Sequence, residues 1–188
     1  MLIYILLFII FIIYNIKKIE NFNEIDNLKA IYQNIMSNYL ESLQKGDNKN
    51  YLNNVDLQII SQKSSLYCNF ELSNLHINNR TNTEFSKVKL ITADKNYNIY
   101  IENYISQKLD EEYNKLTMSY NKNDNIFELI NLEYNYEENL DINKFIFYCK
   151  IKFKKTNKFL ENSNDQLILN YNKNNVSQDW KIMFNIKI

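Results

Sequence analysis

The sequence predicts an α+β fold, with an N-terminal transmembrane helix followed by helices packed on a curved, mostly antiparallel sheet. Three observations predict it. Residues 1–16 are almost wholly apolar. Apolar residues then recur at three- and four-residue steps up to Gly46, the only glycine in the chain. The second half instead alternates apolar with polar residues. Helices first and strands after is the α+β order.

Length and charge bound the reading. The chain has 188 residues and a mass of 22.8 kDa, enough for one domain plus an anchor. At 45% hydrophobic and 23% charged residues, it is neither a disordered nor a fibrous chain. Lys and Arg number 22, as do Asp and Glu, which argues against a binder held to nucleic acid by phosphate neutralisation. Proline is absent, while Asn, Ile, Lys and Tyr abound. That bias follows AT-rich codons and suggests an organelle-encoded protein or a very AT-rich microbe. Runs such as Asn53-Asn54, Asn78-Asn79 and Asn174-Asn175 read as solvated turns, where Asn tolerates left-handed backbone.

The first element is MLIYILLFIIFIIYNI, followed by Lys17 and Lys18. Leu2, Ile5, Leu6, Phe8, Ile9, Phe11, Ile12 and Ile13 supply its membrane-anchor surface. Sixteen residues make a helix of about 24 Å, short of the ~30 Å hydrocarbon core, and snorkelling lysines at the interface extend its reach. A cleavable signal needs a positive n-region and a small-residue cleavage site, and neither is present. The alternative, a buried core helix, needs more apolar partners than the rest of the chain offers. Positive charge on the C-terminal side of the span places the N-terminus in the mitochondrial intermembrane space and the body in the matrix, as a single-pass inner-membrane protein. The domains are then the anchor, residues 1–18, and a matrix-side domain, residues 19–188.

Ile25, Leu28, Ile31, Tyr32, Ile35, Met36, Tyr39, Leu40 and Leu43 mark an amphipathic helix over about 24–45, stopped by Gly46 as a left-handed cap. A helical turn over 50–55 follows. A helix capped by Asp56 would then carry Ile59, Ile60, Leu66, Tyr67 and Phe70. A strand fits 87–92. Ile101, Ile105, Leu109, Tyr113 and Leu116 keep a helical spacing over 99–117. Strands fit 126–136, 147–153, 166–172 and 180–188, the last with Trp180, Ile182, Phe184, Ile186 and Ile188 on one side. No internal repeat is evident.

The run Tyr39-Leu40-Glu41-Ser42-Leu43-Gln44-Lys45-Gly46-Asp47, then Tyr51-Leu52, resembles the helix-end signature of the nuclear-transport-factor-two-like superfamily. Its nearest branch is the mitochondrial import-motor scaffold and its mitoribosomal relatives. Asp179-Trp180-Lys181-Ile182 is similar to that family's closing hairpin. The resemblance spans about 24–188 and implies a cone-shaped sheet covered by helices, with 94–125 as an insertion. Members of the superfamily include enzymes and scaffolds that hold partners or lipid.

Chemistry is sparse. His76 is the only histidine and reads as a surface residue at a helix end. Cys68 and Cys149 have no metal-ligand spacing; two free thiols are favoured over a disulfide. Asp110, Glu111 and Glu112 read as a solvated helix face, and Glu133, Glu137, Glu138 and Asp141 as a strand end and turn. No catalytic, cofactor-binding or metal-ligating residue emerges, so neither an enzyme nor a cofactor is expected. The asymmetric feature is basic: six lysines and no acid lie between Lys144 and Lys158. Lys150, Lys152 and Lys154 share one strand face, which is either a solvated edge or a contact for an acidic partner, anionic lipid such as cardiolipin, or RNA.

These features predict a non-catalytic structural accessory subunit of a mitochondrial inner-membrane respiratory-chain complex, with the other subunits and the lipid bilayer as partners. The alternative is a membrane tether of the mitochondrial ribosome or protein import machinery, the one reading in which nucleic acid is a partner. A small ligand in the cone is a third expectation.

Overall fold

Beyond Gly46 the described chain is built of strands. The computed structural model describes residues 27, 30, 31, 33–47, 55–71, 74–78, 84–113, 115–120, 125–134, 144–171 and 174–186. Two compact units divide it, Met1–Ser37 and Asn38–Ile188. The described residues of the first are helical. The second opens with helix α1, residues 38–45, followed among the described residues by twelve strands.

The strands fall into three sets of four: β1 (Val55–Ser61), β2 (Tyr67–Glu71), β3 (Asn74–Asn78) and β4 (Val88–Asp94); β5 (Asn98–Asn103), β6 (Lys108–Glu112), β7 (Lys115–Ser119) and β8 (Phe127–Tyr134); β9 (Lys144–Phe153), β10 (Lys158–Ser163), β11 (Gln166–Asn170) and β12 (Trp180–Ile186). Each set follows one plan. Its first strand pairs with its second and its fourth, and its second and third form a hairpin. Its fourth strand pairs with the first strand of the next set, and β12 returns to β1. Six strands, β1, β4, β5, β8, β9 and β12, therefore close into an antiparallel barrel. A closed barrel leaves no free edge. The hairpins leave one end of it and meet one another, with Gln166 of β11 opposite His76 of β3.

The alternation read in the sequence fills this barrel. Trp180, Ile182 and Phe184 of β12 face Cys149, Phe147 and Phe145 of β9 in register, and Phe147, Ile151, Phe153, Trp180 and Ile182 are wholly buried. Phe127 and Phe153 stack at 5.1 Å and Phe147 and Phe184 at 5.7 Å between ring centroids, spacings at which ring pairs add to area burial.

Helix α1 covers the other barrel end, where β1 begins and β12 finishes. Tyr39 and Leu43 are buried. The Tyr39 ring meets Phe184 edge-on at 5.0 Å, and its hydroxyl donates to Leu90 O at 3.4 Å. The last turn of the helix leaves carbonyls without helical donors. The β4–β5 turn supplies two: Asn96 N donates to Gln44 O at 2.8 Å and Tyr97 N to Leu43 O at 3.2 Å. Gly46 follows with φ +71°, as expected of a left-handed cap.

This mostly β second unit, with one α-helix among its described residues, corrects the α+β expectation. The helix expected over 99–117 is β5, a turn, β6 and most of β7. Its three- and four-residue spacing mixed core positions with turn residues: Ile101 and Leu109 are buried, but Ile105 lies in a turn and Tyr113 is 96% exposed. The helix expected from Asp56 is β1 and β2: Leu57 to Ser61 are all buried, as in a strand covered on both faces. The expected absence of an internal repeat is corrected by the threefold plan. The strands expected near 87–92, 126–136, 147–153, 166–172 and 180–188 correspond to β4, β8, β9, β11 and β12. Asn174 has φ +47°, as a turn residue, whereas Asn78 sits in β3; Asn53-Asn54 lies outside the described residues.

The transmembrane and inner-membrane placement is also corrected. Among the described residues no helix is long and apolar enough to cross a membrane. The positions on which the anchor was read, Leu2, Ile5, Leu6, Phe8, Ile9, Phe11, Ile12 and Ile13 with Lys17 and Lys18, lie outside the described residues.

A Cβ at Gly46 would sit 2.9 Å from both Asp94 C and Lys95 N. Those are backbone atoms of the turn that caps the helix, so they cannot rotate away. Left-handed geometry alone costs a non-glycine residue about 1–2 kcal/mol. Gly46→Ala should therefore destabilise the protein by about 2–3 kcal/mol, measured as a lower urea midpoint. An unchanged midpoint would show that the turn does not hold α1.

Candidate functional site

The threefold plan brings chemically similar residues to equivalent places on the three hairpins. In the first-to-second strand ladders, Ile60 pairs with Tyr67, Glu102 with Lys108 and Lys152 with Phe159. Two residues further along each second strand stand Asn69, Asp110 and Glu161, all buried. Two residues before the buried Val88, Phe127 and Trp180 stand Ser86, Asn125 and Gln178, also buried.

These two positions bond each other in the second and third sets. Asn125 Nδ2 donates to Asp110 Oδ1. Gln178 Nε2 donates to Glu161 Oε2 at 3.1 Å and to Tyr171 O at 2.7 Å. A buried carboxylate needs such donors, because desolvation without them is expensive. In the first set Asn69 Nδ2 donates to Asn78 Oδ1 at 2.7 Å, and Ser86 Oγ accepts from Gln58 Nε2 at 3.1 Å. Trp180 locks the third set further, its indole N–H donating to Leu160 O at 3.1 Å.

The hairpins of the second and third sets also each carry an exposed aromatic ring. Tyr120 directly follows β7 and Tyr171 directly follows β11; they are 69% and 70% exposed. Tyr171 is held by its backbone. Its carbonyl accepts from Gln178, and its N–H donates to Asn170 Oδ1 at 2.9 Å. Lys158 Nζ lies 5.7 Å from the centre of its ring. The arrangement presents a rigid ring face to solvent beside a cation.

The structure divides the three lysines singled out in the sequence. Lys150 is paired with Asp179 at 3.1 Å and is 11% exposed, and Lys152 faces Glu128 at 3.6 Å. Both charges are answered within the fold. A cleft of about 380 Å³ opens beside Lys150, walled by Gln62, Asn131, Glu133 and Tyr148, and it holds both signs of charge. Lys154 instead lies in the exposed β9–β10 turn with Lys155. Asp110, expected on a solvated helix face, is the buried acceptor of Asn125, and His76 sits in β3 rather than at a helix end.

Sequence reasoning missed both tyrosines. A signal was present: Tyr-Asn-Lys-Asn occurs at 120–123 and again at 171–174. Each copy precedes a polar residue, any residue and an aromatic, namely Asn125-Ile126-Phe127 and Gln178-Asp179-Trp180. The position corresponding to the tyrosine in the first set holds Asn79.

Among the described residues no group of three His, Cys, Asp or Glu side chains could hold a metal ion. Cys68 and Cys149 are free and buried. Burial pushes both thiols well above their ordinary pKa, with the Asp179 charge adding to the effect at Cys149. Burial raises Tyr39 in the same direction.

No protein-family model matches the chain, and no curated protein matches it. Solved structures do. A designed threefold-symmetric protein, ThreeFoil, matches with TM-score 0.54 and 13% identity over 72% of this chain and 100% of that one. SeviL, solved bound to the asialo-GM1 saccharide, matches with TM-score 0.52 and 15% identity over 68% of this chain and 94% of that one. A mosquitocidal holotoxin matches with TM-score 0.53 and 14% identity over 73% of this chain, which spans 18% of the toxin. At these identities the likeness is one of fold. The chain has a β-trefoil-like fold, and this corrects the resemblance to the nuclear-transport-factor-two-like superfamily. The motifs behind that resemblance, a helix ending at Gly-Asp and a Trp-x-Ile strand, serve here as a barrel cap and a barrel strand.

Two predictions follow from the buried groups. Gln178→Ala removes the donors to Glu161 and Tyr171 and should cost about 2–3 kcal/mol; a thermal midpoint equal to that of the unaltered protein would show the clamp to be slack. The raised thiols set a pH dependence. Above their ordinary value of 9.0, an unfolded chain ionises both thiols while the folded one keeps the protons. Stability should therefore be insensitive to these groups below about pH 8 and fall above pH 9 by about 1.4 kcal/mol per pH unit for each thiol. Tyr39 steepens the fall above 10.0. Urea midpoints from pH 7 to 10 measure this, and a Cys68→Ala/Cys149→Ala variant should lose the slope that begins at pH 9. A slope kept by that variant would assign it to other groups.

Proposed function

We propose that this chain is a non-catalytic binding module that recognises saccharides through the exposed rings of Tyr120 and Tyr171. The observation that carries the reading is the repetition of one device on two hairpins: a solvent-facing tyrosine directly after the third strand, with a buried carboxylate on the second strand bonded to a buried amide. A tyrosine ring offers a large, rigid, amphipathic face at small entropic cost. The axial C–H groups of a pyranose present a matching apolar face, and its hydroxyls bond the polar groups around the ring. Support also comes from SeviL, a fold neighbour solved with a bound saccharide.

The expectation of a non-catalytic protein carries into this proposal, while the placement in an inner-membrane respiratory complex does not. A single shallow ring site binds weakly, with a Kd on the order of a millimolar, about 4 kcal/mol. Two sites on one rigid scaffold raise binding to a multivalent glycan surface about 10²–10⁴-fold.

The test is a glycan array followed by calorimetry on the full chain. Tyr171→Ala and Tyr120→Ala should each weaken binding to immobilised glycan about tenfold or more, and the double variant should abolish it. Because both rings are exposed, the thermal midpoints should stay within about 0.5 kcal/mol of the unaltered protein. A protein that retains no saccharide, or a double variant that binds as well as the original, would overturn the reading.

A further inference from the structure

We infer that the third-set site selects acidic saccharides, carrying a carboxylate or sulfate, whereas the second-set site takes neutral ones. The inference rests on the saccharide reading above and adds a ligand class to one of its two sites. The argument comes from comparing equivalent positions.

In the third set, the last ladder pair of the β10–β11 hairpin is Phe159 with Asn170. The next residues outward are Lys158 and Tyr171, which brings the Lys158 ammonium to 5.7 Å from the ring centre. The turn leading into β10 carries Lys154 and Lys155, both exposed, and the chain has no acid between Lys144 and Lys158. The nearby carboxylate, Glu161, is buried and turned to Gln178. One lysine therefore stands beside the solvent-facing ring, and the turn that leads into its strand carries two more, both exposed, and no carboxylate.

In the second set, the corresponding last pair of the β6–β7 hairpin is Lys108 with Ser119. The next residues outward are Gln107 and Tyr120. Gln107 is neutral and 1% exposed, and its turn reads Tyr104-Ile105-Ser106-Gln107, without a charge. Lys108 points elsewhere, its ammonium 4.0 Å above the Tyr100 ring. The two sites share the tyrosine and the buried pair and differ at the position opposite the ring, Lys158 against Gln107, and in the preceding turn, which carries Lys154 and Lys155 in one case and no charge in the other.

An anionic group on a sugar stacked against Tyr171 would meet these cations with charge-assisted hydrogen bonds, about twice as strong as neutral ones. Lys150 and Lys152 do not contribute, since Asp179 and Glu128 answer them.

The experiment is calorimetric titration of the full chain with a sulfated galacto-oligosaccharide and with its unsulfated parent, at 0.05 and 0.3 M salt. The sulfated probe should bind at least tenfold more tightly, and the preference should shrink at high salt. Lys158→Gln with Lys154→Gln and Lys155→Gln should remove the preference, so that the sulfated probe binds no more tightly than its unsulfated parent. Tyr171→Ala should also remove it, whereas Tyr120→Ala should leave it intact. Equal affinity for the two probes would overturn this inference while leaving the saccharide reading in place. A salt-sensitive preference that survives Tyr171→Ala would overturn it too, as bulk attraction to lysines. Binding of neither probe, nor of any saccharide on the array, would take down the underlying reading and this inference with it.

Discussion

The pairing of β1 with β12 is the constraint on which the rest of the second unit depends. Seven consecutive pairs, from Val55 with Ile186 to Ser61 with Trp180, join the first strand to the last. Without them the six-stranded ring is an open sheet with two exposed edges. With them every barrel strand is paired on both sides and the aromatic interior is sealed. The pairing spans almost the whole unit in sequence, so its loop-closure entropy must be met before most of the core can form. Trp180 stands at this seam, wholly buried and bonded to Leu160. Asn162, from the same hairpin, donates to Ser61 at 2.8 Å and to Ser64 at 3.1 Å. The seam is thus fastened by a ladder, a ring and a polar clasp at one place, and Tyr171 stands on the chain just before it.

Closure also explains why the hairpins can diverge. Once the barrel is complete, each hairpin needs only its local clamp. The second set uses Asn125 with Asp110, the third Gln178 with Glu161, and in the first Asn69 bonds Asn78 while Ser86 bonds Gln58. The barrel strands had less freedom. Val88, Phe127 and Trp180 differ in size but all bury at the same position, because that position faces the interior whichever residue fills it. Surface chemistry is carried by the variable layer and shape by the constant one.

Much of the barrel was legible in the sequence and little of its topology. The alternation of Trp180, Ile182 and Phe184, or of Phe147, Cys149, Ile151 and Phe153, is a strand signal strong enough to stand alone. Gly46 was legible because only a helix stop needed it. The region from 99 to 117 was not, because its short strands bury few residues each and a turn isoleucine completed a false helical period. Turns without glycine hid the boundaries as well. Asn96, Tyr97, Ser106, Asn164 and Asp165 all adopt positive φ, and one of these five, Tyr97, is not a usual turn residue. The threefold repeat was hidden for a different reason. Its equivalences run between unlike residues such as Ser86, Asn125 and Gln178, which share burial and role but not identity.

The two tyrosines were legible in principle, since Tyr-Asn-Lys-Asn recurs, but the recurrence had no meaning without the hairpins. Spacing alone cannot distinguish a repeated surface motif from compositional bias in a chain so rich in Asn, Lys and Tyr. The ladder register can. It sets each tyrosine one step beyond the last pair of its hairpin, opposite Gln107 in one case and Lys158 in the other. The same register separates lysines that look alike in sequence. Lys150 and Lys152 lie within a paired barrel strand beside Asp179 and Glu128, where the fold neutralises them, while Lys154, Lys155 and Lys158 lie where β9 turns out of the barrel. Five of the six lysines therefore fall into two populations, Lys150 and Lys152 spent on holding the barrel wall and Lys154, Lys155 and Lys158 outside it, the last beside an aromatic ring.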